Sequence, residues 1–295
     1  MQSLSKCAVW RLREVLFLVV LSLSFRAEGS QLVIRFLDVG QGDAILLQDG
    51  EHAALVDAGP PSDDIMHKLS AFGLHSLEIF VASHNHDDHI GGAAAVLTAM
   101  PVGVWLDNGW HAATAIQHRV LSALLHSAAR HDTPAVGSLM LGDTRLRFLM
   151  PEEFVGGDPQ NNRSVVVLVE HGTFRALLSG DAEVGELKAL LSAGVVPHVD
   201  VLKAAHHGSR NGLTPLWIQQ THPSVVVISV GSGNLYGHPN PMALRYYATA
   251  RRTVLRTDED GDVTVKVDDD GAYAISTQRR GAVFPVAEPA SRASP

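Results

Sequence analysis

The chain has 295 residues, 46% hydrophobic and 18% charged, with a formal net charge of −8. That composition excludes a disordered or fibrous chain and is ample for one large domain with a buried core. The acidic balance excludes a global field that draws in polyanions, so tight nucleic-acid binding is not expected.

The first segment is read as separate from the fold. Lys6, Arg11 and Arg13 precede an apolar run from Val15 to Phe25, and Arg26-Ala27-Glu28-Gly29-Ser30 ends it with small and polar residues. A basic stretch, a short apolar run and a small-residue exit describe a secretory signal peptide over residues 1–28. The run is well short of the ~20 residues that cross a bilayer as a helix. The alternative is an uncleaved segment that anchors the chain to a membrane. Cys7, the only cysteine, precedes the run, so a mature chain has no disulfide to form and no thiolate to offer a metal. Cleavage near Ala27 also removes four basic residues against one acid, Glu14, and leaves the mature chain more acidic. Together these features predict an exported protein, periplasmic or secreted.

After the signal, residues 31–37 form a strand candidate, and Val39-Gly40-Gln41-Gly42-Asp43 is a glycine turn. Residues 44–48 and 53–57 are two more strands, joined across Asp49-Gly50, a hairpin dipeptide. A helix over 64–72 stops at Gly73, and a strand over 77–83 follows. Residues 92–100 form a helix stopped by Pro101, then 102–106 a short strand. Apolar residues at Ile116, Val120, Leu124 and Ala128 have helical spacing and predict a helix over 116–130. A strand over 145–150 leads into turn-rich residues 151–162. Strands at 164–170 and 174–178 are followed by a helix over 182–193 with Gly194 as its stop. Then come a strand (199–202), a helix (215–220), a strand (225–230), a helix (241–250) and strands at 253–255, 262–267 and 273–276. Residues 278–295 are read as a disordered tail. Strands early and late, each set interleaved with helices, predict an α/β layered domain over 31–277.

Chemistry concentrates in Ser83-His84-Asn85-His86-Asp87-Asp88-His89-Ile90-Gly91-Gly92, just past the apolar strand. Residues two apart in an extended segment point the same way, so His84 and His86 can face one point. Asp88 and His89 follow in the turn and can face a second. Imidazole and carboxylate suit zinc or similar divalent ions. Burying so many polar groups without a partner costs several kcal/mol, and a metal supplies the partner. The bland alternative, a solvated loop, fits an isolated His-x-His better than this denser run. Further candidates also lie past strand ends: Asp181 in Ser179-Gly180-Asp181, and the pair His206-His207. For Asp181 alone, capping a helix that begins at Ala182 is an equal reading.

With these segments assembled, the chain resembles the metallo-β-lactamase superfamily, and within it the metallohydrolase domain of the ComEC-type competence proteins. Phe36 to Ala44, Val56-Asp57-Ala58-Gly59, Ser83 to Gly92, Asn161 to Val166, Ser179-Gly180-Asp181, Leu202 to Ser209, Tyr236-Gly237-His238-Pro239 and Thr257-Asp258 carry the resemblance, in family order. It implies an αββα four-layer sandwich with a metal site on one edge. By position, His84, His86 and Asp181 would bind a first divalent ion. Asp88, His89, Asp181 and His207 would bind a second, both Zn²⁺ or Mn²⁺. His206 would contact substrate or move a proton, a task shared with Asp88, and Asp57 would orient the His84 loop. The superfamily's histidine before the strand at Ser164 is replaced by Asn161-Asn162, and its cysteine ligand by Asp181. The second change favours phosphodiester over β-lactam chemistry. Asn234, Tyr236 and His238, in the loop from Gly231 to Pro239, are expected to face the site and contact a phosphate. Lys203 either meets a phosphate or balances carboxylates. The implied function is a phosphodiesterase or nuclease that uses a hydroxide activated by two metals on a phosphoester, including DNA. The alternatives are hydrolysis of a small ester, such as a phosphocholine or lactone compound, and a non-catalytic accessory role in DNA uptake.

Overall fold

The computed structural model describes residues 31–62, 64–133, 137–280 and 283–287. The expected signal segment lies outside them. The chain runs β1 (Leu32–Phe36), β2 (Ile45–Asp49), β3 (His52–Val56), α1 (Ile65–Ala71), β4 (Leu77–Val81), the one-turn α2 (Asp87–Ile90), α3 (Ala93–Ala99), β5 (Val102–Leu106), α4 (Ala115–His126), β6 (Arg130–Asp132) and β7 (Gly137–Leu141). It continues with β8 (Thr144–Leu149), β9 (Val166–His171), β10 (Phe174–Leu178), α5 (Val184–Ser192), β11 (Val201–Lys203), α6 (Pro215–Thr221), β12 (Val225–Ile228), α7 (Pro241–Thr249), β13 (Thr253–Arg256), α8 (Thr257–Asp260), β14 (Val263–Val267), β15 (Tyr273–Thr277) and β16 (Val283–Ala287).

Among the described residues the strands form two sheets, in the orders β16-β15-β14-β1-β2-β3-β4-β5-β6 and β13-β12-β11-β10-β9-β8-β7. Alternation along each strand separates the layers. Ile45 and Leu47 enter the core between the sheets with Val167, Val169, Phe174 and Ala176, while Leu46 between them joins the outer core. That outer core packs β2–β5 under α1, α3 and α4, with the Phe80 and Trp105 rings stacked at 4.4 Å. A third core packs Leu168, Leu177, Leu202 and Val226 of the second sheet under α5, α6 and α7. The result is helix, sheet, sheet, helix, and the strands under the helices are apolar on both faces, as buried layers require, whereas β1, β14 and β15 alternate buried residues with partly exposed or exposed ones.

Each sheet is antiparallel in one part and parallel in another. β3, β4 and β5 run parallel, as do β10, β11, β12 and β13. Parallel strands bring their carboxyl ends to the same edge, and the polar loops follow those ends.

Three expectations change. The helix read over 116–130 ends at His126; Arg130–Asp132 instead pairs parallel with β5 as an edge strand. The helical spacing continues past 126, but pairing along β5 is the stronger partner. Gly137–Leu141 forms an unforeseen hairpin with β8, turning at Gly142, whose φ is +57°. The tail read as disordered contributes β16, antiparallel to β15 at the sheet edge. Val283-Phe284-Pro285-Val286-Ala287 is apolar enough for a strand, and an edge tolerates the missing N–H of Pro285.

Candidate metal centre

The loops after β3, β4, β10, β11 and β12 converge beside a cleft of about 650 Å³. Asp57 leads the set. Its backbone is left-handed, with φ +60°, a conformation that costs about 1–2 kcal/mol in a non-glycine residue. Its buried carboxylate accepts from Ser83 N–H and Ser83 Oγ–H, both at 2.7 Å, and from His89 Nδ1–H at 2.8 Å. One side chain thus fixes both ends of the histidine-rich loop.

Within that loop His84 is fully buried, and its Nε2 stands 3.1 Å from Nδ1 of the half-exposed His86. His86 Nε2 lies 3.9 Å from Asp158. The chain then turns into α2, which sets Asp88 Oδ2 4.0 Å from His89 Nε2. Gly91 and Gly92 allow this turn to close against the β3 loop. A Cβ on Gly91 would sit 2.2 Å from Pro61 N, and one on Gly92 2.5 Å from Ala58 O. Both contacts are with backbone and cannot be relieved by a rotamer. Gly91→Ala is therefore expected to cost about 1–3 kcal/mol in urea unfolding, and an unchanged midpoint would show that the Pro60-Pro61 segment yields freely.

Asp181 follows Gly180, whose φ is +50°. It is not a helix cap, because α5 starts at Val184 with Glu183 as its N-cap residue. Asp181 Oδ1 lies 3.4 Å from both His89 Nε2 and His207 Nε2, and Oδ2 lies 3.6 Å from His206 Nε2 and 4.0 Å from His84 Nε2. His206 and His207 are consecutive left-handed residues, φ +48° and +52°, so their rings diverge with planes 71° apart. His207 turns inward and donates Nδ1–H to Ser229 O at 2.9 Å.

These bonds leave Nε2 of His89 and of His207 pointing at Asp181. All three buried atoms, including Asp181 Oδ1, make no hydrogen bond. Asp88, His89, Asp181 and His207 bring ligand atoms within 4.8 Å of one another. A buried, converging donor set of two imidazoles and two carboxylates, with the other ring nitrogens held by acceptors, fits a divalent cation. His84 and His86 flank this set and engage each other.

Without an ion, protons fill the role. Burial works against charge on His207, but Asp181 and Asp43 outweigh it and push the imidazole up to about 10. His89 is likewise raised, against burial, by Asp181 and Asp57. Burial and the charge of His89 hold His84 well below its ordinary value. A raised folded-state value stabilises fully below the unfolded value of 6.5 and is lost as pH rises through the folded one. Thermal stability of the metal-free protein should therefore fall between pH 6.5 and about 10. The zinc-loaded protein should lose this dependence, since a ligating imidazole carries no extra proton. A flat pH profile for the metal-free form would contradict the assignment.

Two residues that sequence reasoning did not place at the site belong to it. Asp43, 1% exposed, ends the glycine turn and lies 3.7 Å from His207 Nδ1 and 3.8 Å from His89 Nδ1. Glu183 lies 3.5 Å from His206 Nδ1. Asp43 falls within the Phe36-to-Ala44 segment that carries the resemblance, but nothing local gave it a role beyond an acid between a glycine and an apolar strand. Lys203 is fully buried, 2.5 Å from Asp43 Oδ2, and donates to Gly180 O at 2.8 Å. Of its two readings, balancing carboxylates is the one the geometry fits. Asn161 lines the cleft, while Asn162 Oδ1 accepts from Glu186 N–H of α5. Asn234, expected to contact a phosphate, lies in the loop after β12. Its Nδ2 donates to Gly231 O and His238 O, and its Oδ1 accepts from Tyr236 and His238 N–H, so it staples its own loop. That loop presents Tyr236, 70% exposed, and His238 to the cleft, with their rings stacked at 5.8 Å. Burial and the neighbouring His207 and His206 hold His238 down to about 4.

Among the described residues no helix is long and apolar enough to cross a membrane. The chain is 29% identical over 277 residues to ComE operon protein 3 of Bacillus subtilis, covering 84% of this chain and 34% of that protein. It is 29% identical over 236 residues to Recombination protein 2 of Haemophilus influenzae, covering 78% and 28%, and 27% identical over 246 residues to Competence protein ComA of Neisseria gonorrhoeae, covering 81% and 33%. It thus spans about a third of the length of these relatives. The metallo-beta-lactamase fold protein YhfI of Bacillus subtilis superposes with a TM-score of 0.52 at 12% identity, over 83% of this chain and 100% of that one, which is a likeness of fold. The family model for the metallo-beta-lactamase superfamily matches residues 37–236, most of the layered domain and every converging loop from Asp43 to Tyr236, and the chain belongs to that superfamily.

Proposed function

We propose that the chain is an exported, metal-dependent phosphodiesterase. The observation that carries this reading is the trio of buried atoms without hydrogen bonds, His89 Nε2, His207 Nε2 and Asp181 Oδ1, gathered beside an open cleft that Asp181 and His207 line. Asp88, His89, Asp181 and His207 would hold one divalent ion, and His84, His86 and Asp181 a second, zinc or manganese. Bound there, such ions supply a Lewis acid for a phosphoryl oxygen and lower the pKa of attacking water. The chain's own residues do the rest. Asp57 and the Ser229 carbonyl fix the rings of His89 and His207. Asp88, at the cleft wall, and His206, 20% exposed, are placed to accept and return a proton. Asp181 in the place of the superfamily's cysteine supports phosphoester over β-lactam substrates.

A second reading draws on the relatives, whose names include competence and recombination proteins. In that reading the chain is a non-catalytic component of DNA uptake that retains the fold. One experiment separates the readings. The protein is assayed with Zn²⁺ or Mn²⁺ on single-stranded DNA, bis(p-nitrophenyl) phosphate and p-nitrophenyl phosphocholine, beside His86→Ala and Asp181→Ala. Cleavage of DNA or the diester that is lost in both variants supports the phosphodiesterase. Turnover of the phosphocholine ester alone redirects it to small esters, a class the acidic net charge suits. Stoichiometric metal with no turnover supports the accessory role.

A further inference from the structure

Asn161 and Asn162 stand where the superfamily carries a histidine, and their side chains point to a residue with no assigned role. Asn161 Nδ2 lies 3.3 Å from Glu183 Oε1, and Asn162 Nδ2 lies 3.2 Å from Glu183 Oε2. Both oxygens of the carboxylate are thereby held. Oε1 also faces His206 Nδ1 at 3.5 Å, a buried nitrogen with no hydrogen bond of its own.

Glu183 occupies the N-cap position of α5, where a side-chain oxygen can accept from the helix's free N–H groups. It makes no such bond. Asn162 Oδ1 accepts from Glu186 N–H instead, capping α5 from another loop. The Glu183 side chain is released from the helix and directed at His206. We propose that Glu183, clamped by Asn161 and Asn162, is a positioning residue that fixes His206 with Nδ1–H toward the carboxylate and Nε2 toward Asp181 and the cleft. The histidine missing from the superfamily's ligand set is thus replaced by a device that orients a different histidine.

A carboxylate behind an imidazole selects the tautomer and holds the ring in plane, which is how such pairs act elsewhere in acid–base chemistry. The left-handed backbone at His206 aims the ring only coarsely, since its side chain still rotates about χ1 and χ2. Glu183 removes that freedom. With Nδ1 committed to the carboxylate and Asp181 Oδ2, 3.6 Å from Nε2, engaged by a metal, a neutral ring would turn the lone pair of Nε2 to the substrate side of the cleft.

Ring NMR of isotope-labelled histidine tests this in the zinc-loaded protein, with the His206 signals assigned by His206→Gln. Wild type should show His206 protonated at Nδ1 and bare at Nε2, and Glu183→Gln should convert it to a mixture. Glu183→Asp should restore part of the wild-type pattern. The consequence for turnover rests on the phosphodiesterase reading above; the orientation of the ring does not. On bis(p-nitrophenyl) phosphate, Glu183→Gln should lower kcat about 10²-fold with KM changed less than about twofold and zinc content unchanged. Circular dichroism confirms that the variants are folded. An unaltered His206 pattern in Glu183→Gln overturns the proposal, and so does loss of zinc together with activity, which would make Glu183 a support of the metal set. If wild type fails to hydrolyse the diester, the functional reading fails while the ring spectrum still decides the role of Glu183.

Discussion

Asp181→Ala is expected to strip the protein of bound zinc and to lower phosphodiester hydrolysis by about 10³-fold or more. Among the described residues no other carboxylate stands against so many basic partners. Its two oxygens lie within 4.0 Å of His84, His89, His206, His207 and Lys203. Its charge persists despite burial because His207 and His89 hold the carboxyl well below its ordinary value. Alanine removes a donor common to both proposed ion positions and leaves Lys203 and two imidazoles facing an uncompensated hole. Asp181→Asn keeps the size and loses the charge, so it should also release zinc. Metal analysis after dialysis, with kcat on the aryl diester, measures both. Stoichiometric zinc in Asp181→Ala would sink the assignment of this edge as the metal centre.

Lys203→Met should destabilise the metal-free protein by about 3–5 kcal/mol, because it removes one partner of a buried ion pair and strands the other. Lys203 and Asp43 are 0% and 1% exposed and 2.5 Å apart. Burial alone would lower the lysine's pKa, but Asp43 and Asp181 outweigh it and keep the group charged. A raised folded value keeps this contribution in place below the ordinary lysine range and loses it only as pH rises beyond. The double variant Asp43→Asn with Lys203→Met should be more stable than the sum of the single losses implies, since neither partner is then left alone. Urea unfolding of the four proteins gives the coupling. Additive losses would mean that the pair is not a unit and that Lys203 acts through packing alone.

The histidine-rich loop was legible because its chemistry is local. An apolar strand, then His84 to His89, then two glycines, state within ten-odd residues a buried edge, a polar cluster and a close turn. The sandwich was legible for a similar reason: the runs at Ile45 to Leu47 and Val166 to Val169 are apolar at every turn of the pleat, which only a strand covered on both faces needs. Asp43 was not legible. It reads as one more acid beside a glycine turn, and its value lies in a lysine 160 positions later that sequence spacing does not connect to it. Glu183 was hidden differently. It reads as an acid at the start of α5, and only the folded chain brings Asn161, Asn162 and His206 to its carboxylate. Asn234 shows a related limit: the sequence marks a polar residue in a site-facing loop, and only the structure shows its side chain bonded to that loop's own backbone.

By itself the sequence determined the layers, the order of the elements and the residue types able to hold a metal, because hydrophobic period and turn chemistry act over a few neighbours. Only the tertiary structure decided which of those residues meet. Pairing β10, β11 and β12 in parallel, and packing them across from β3 and β4, sets five loops at one edge. Coulomb and hydrogen-bond energies depend on separation in space, and a charge gains a partner only where the folded chain brings one within a few ångströms.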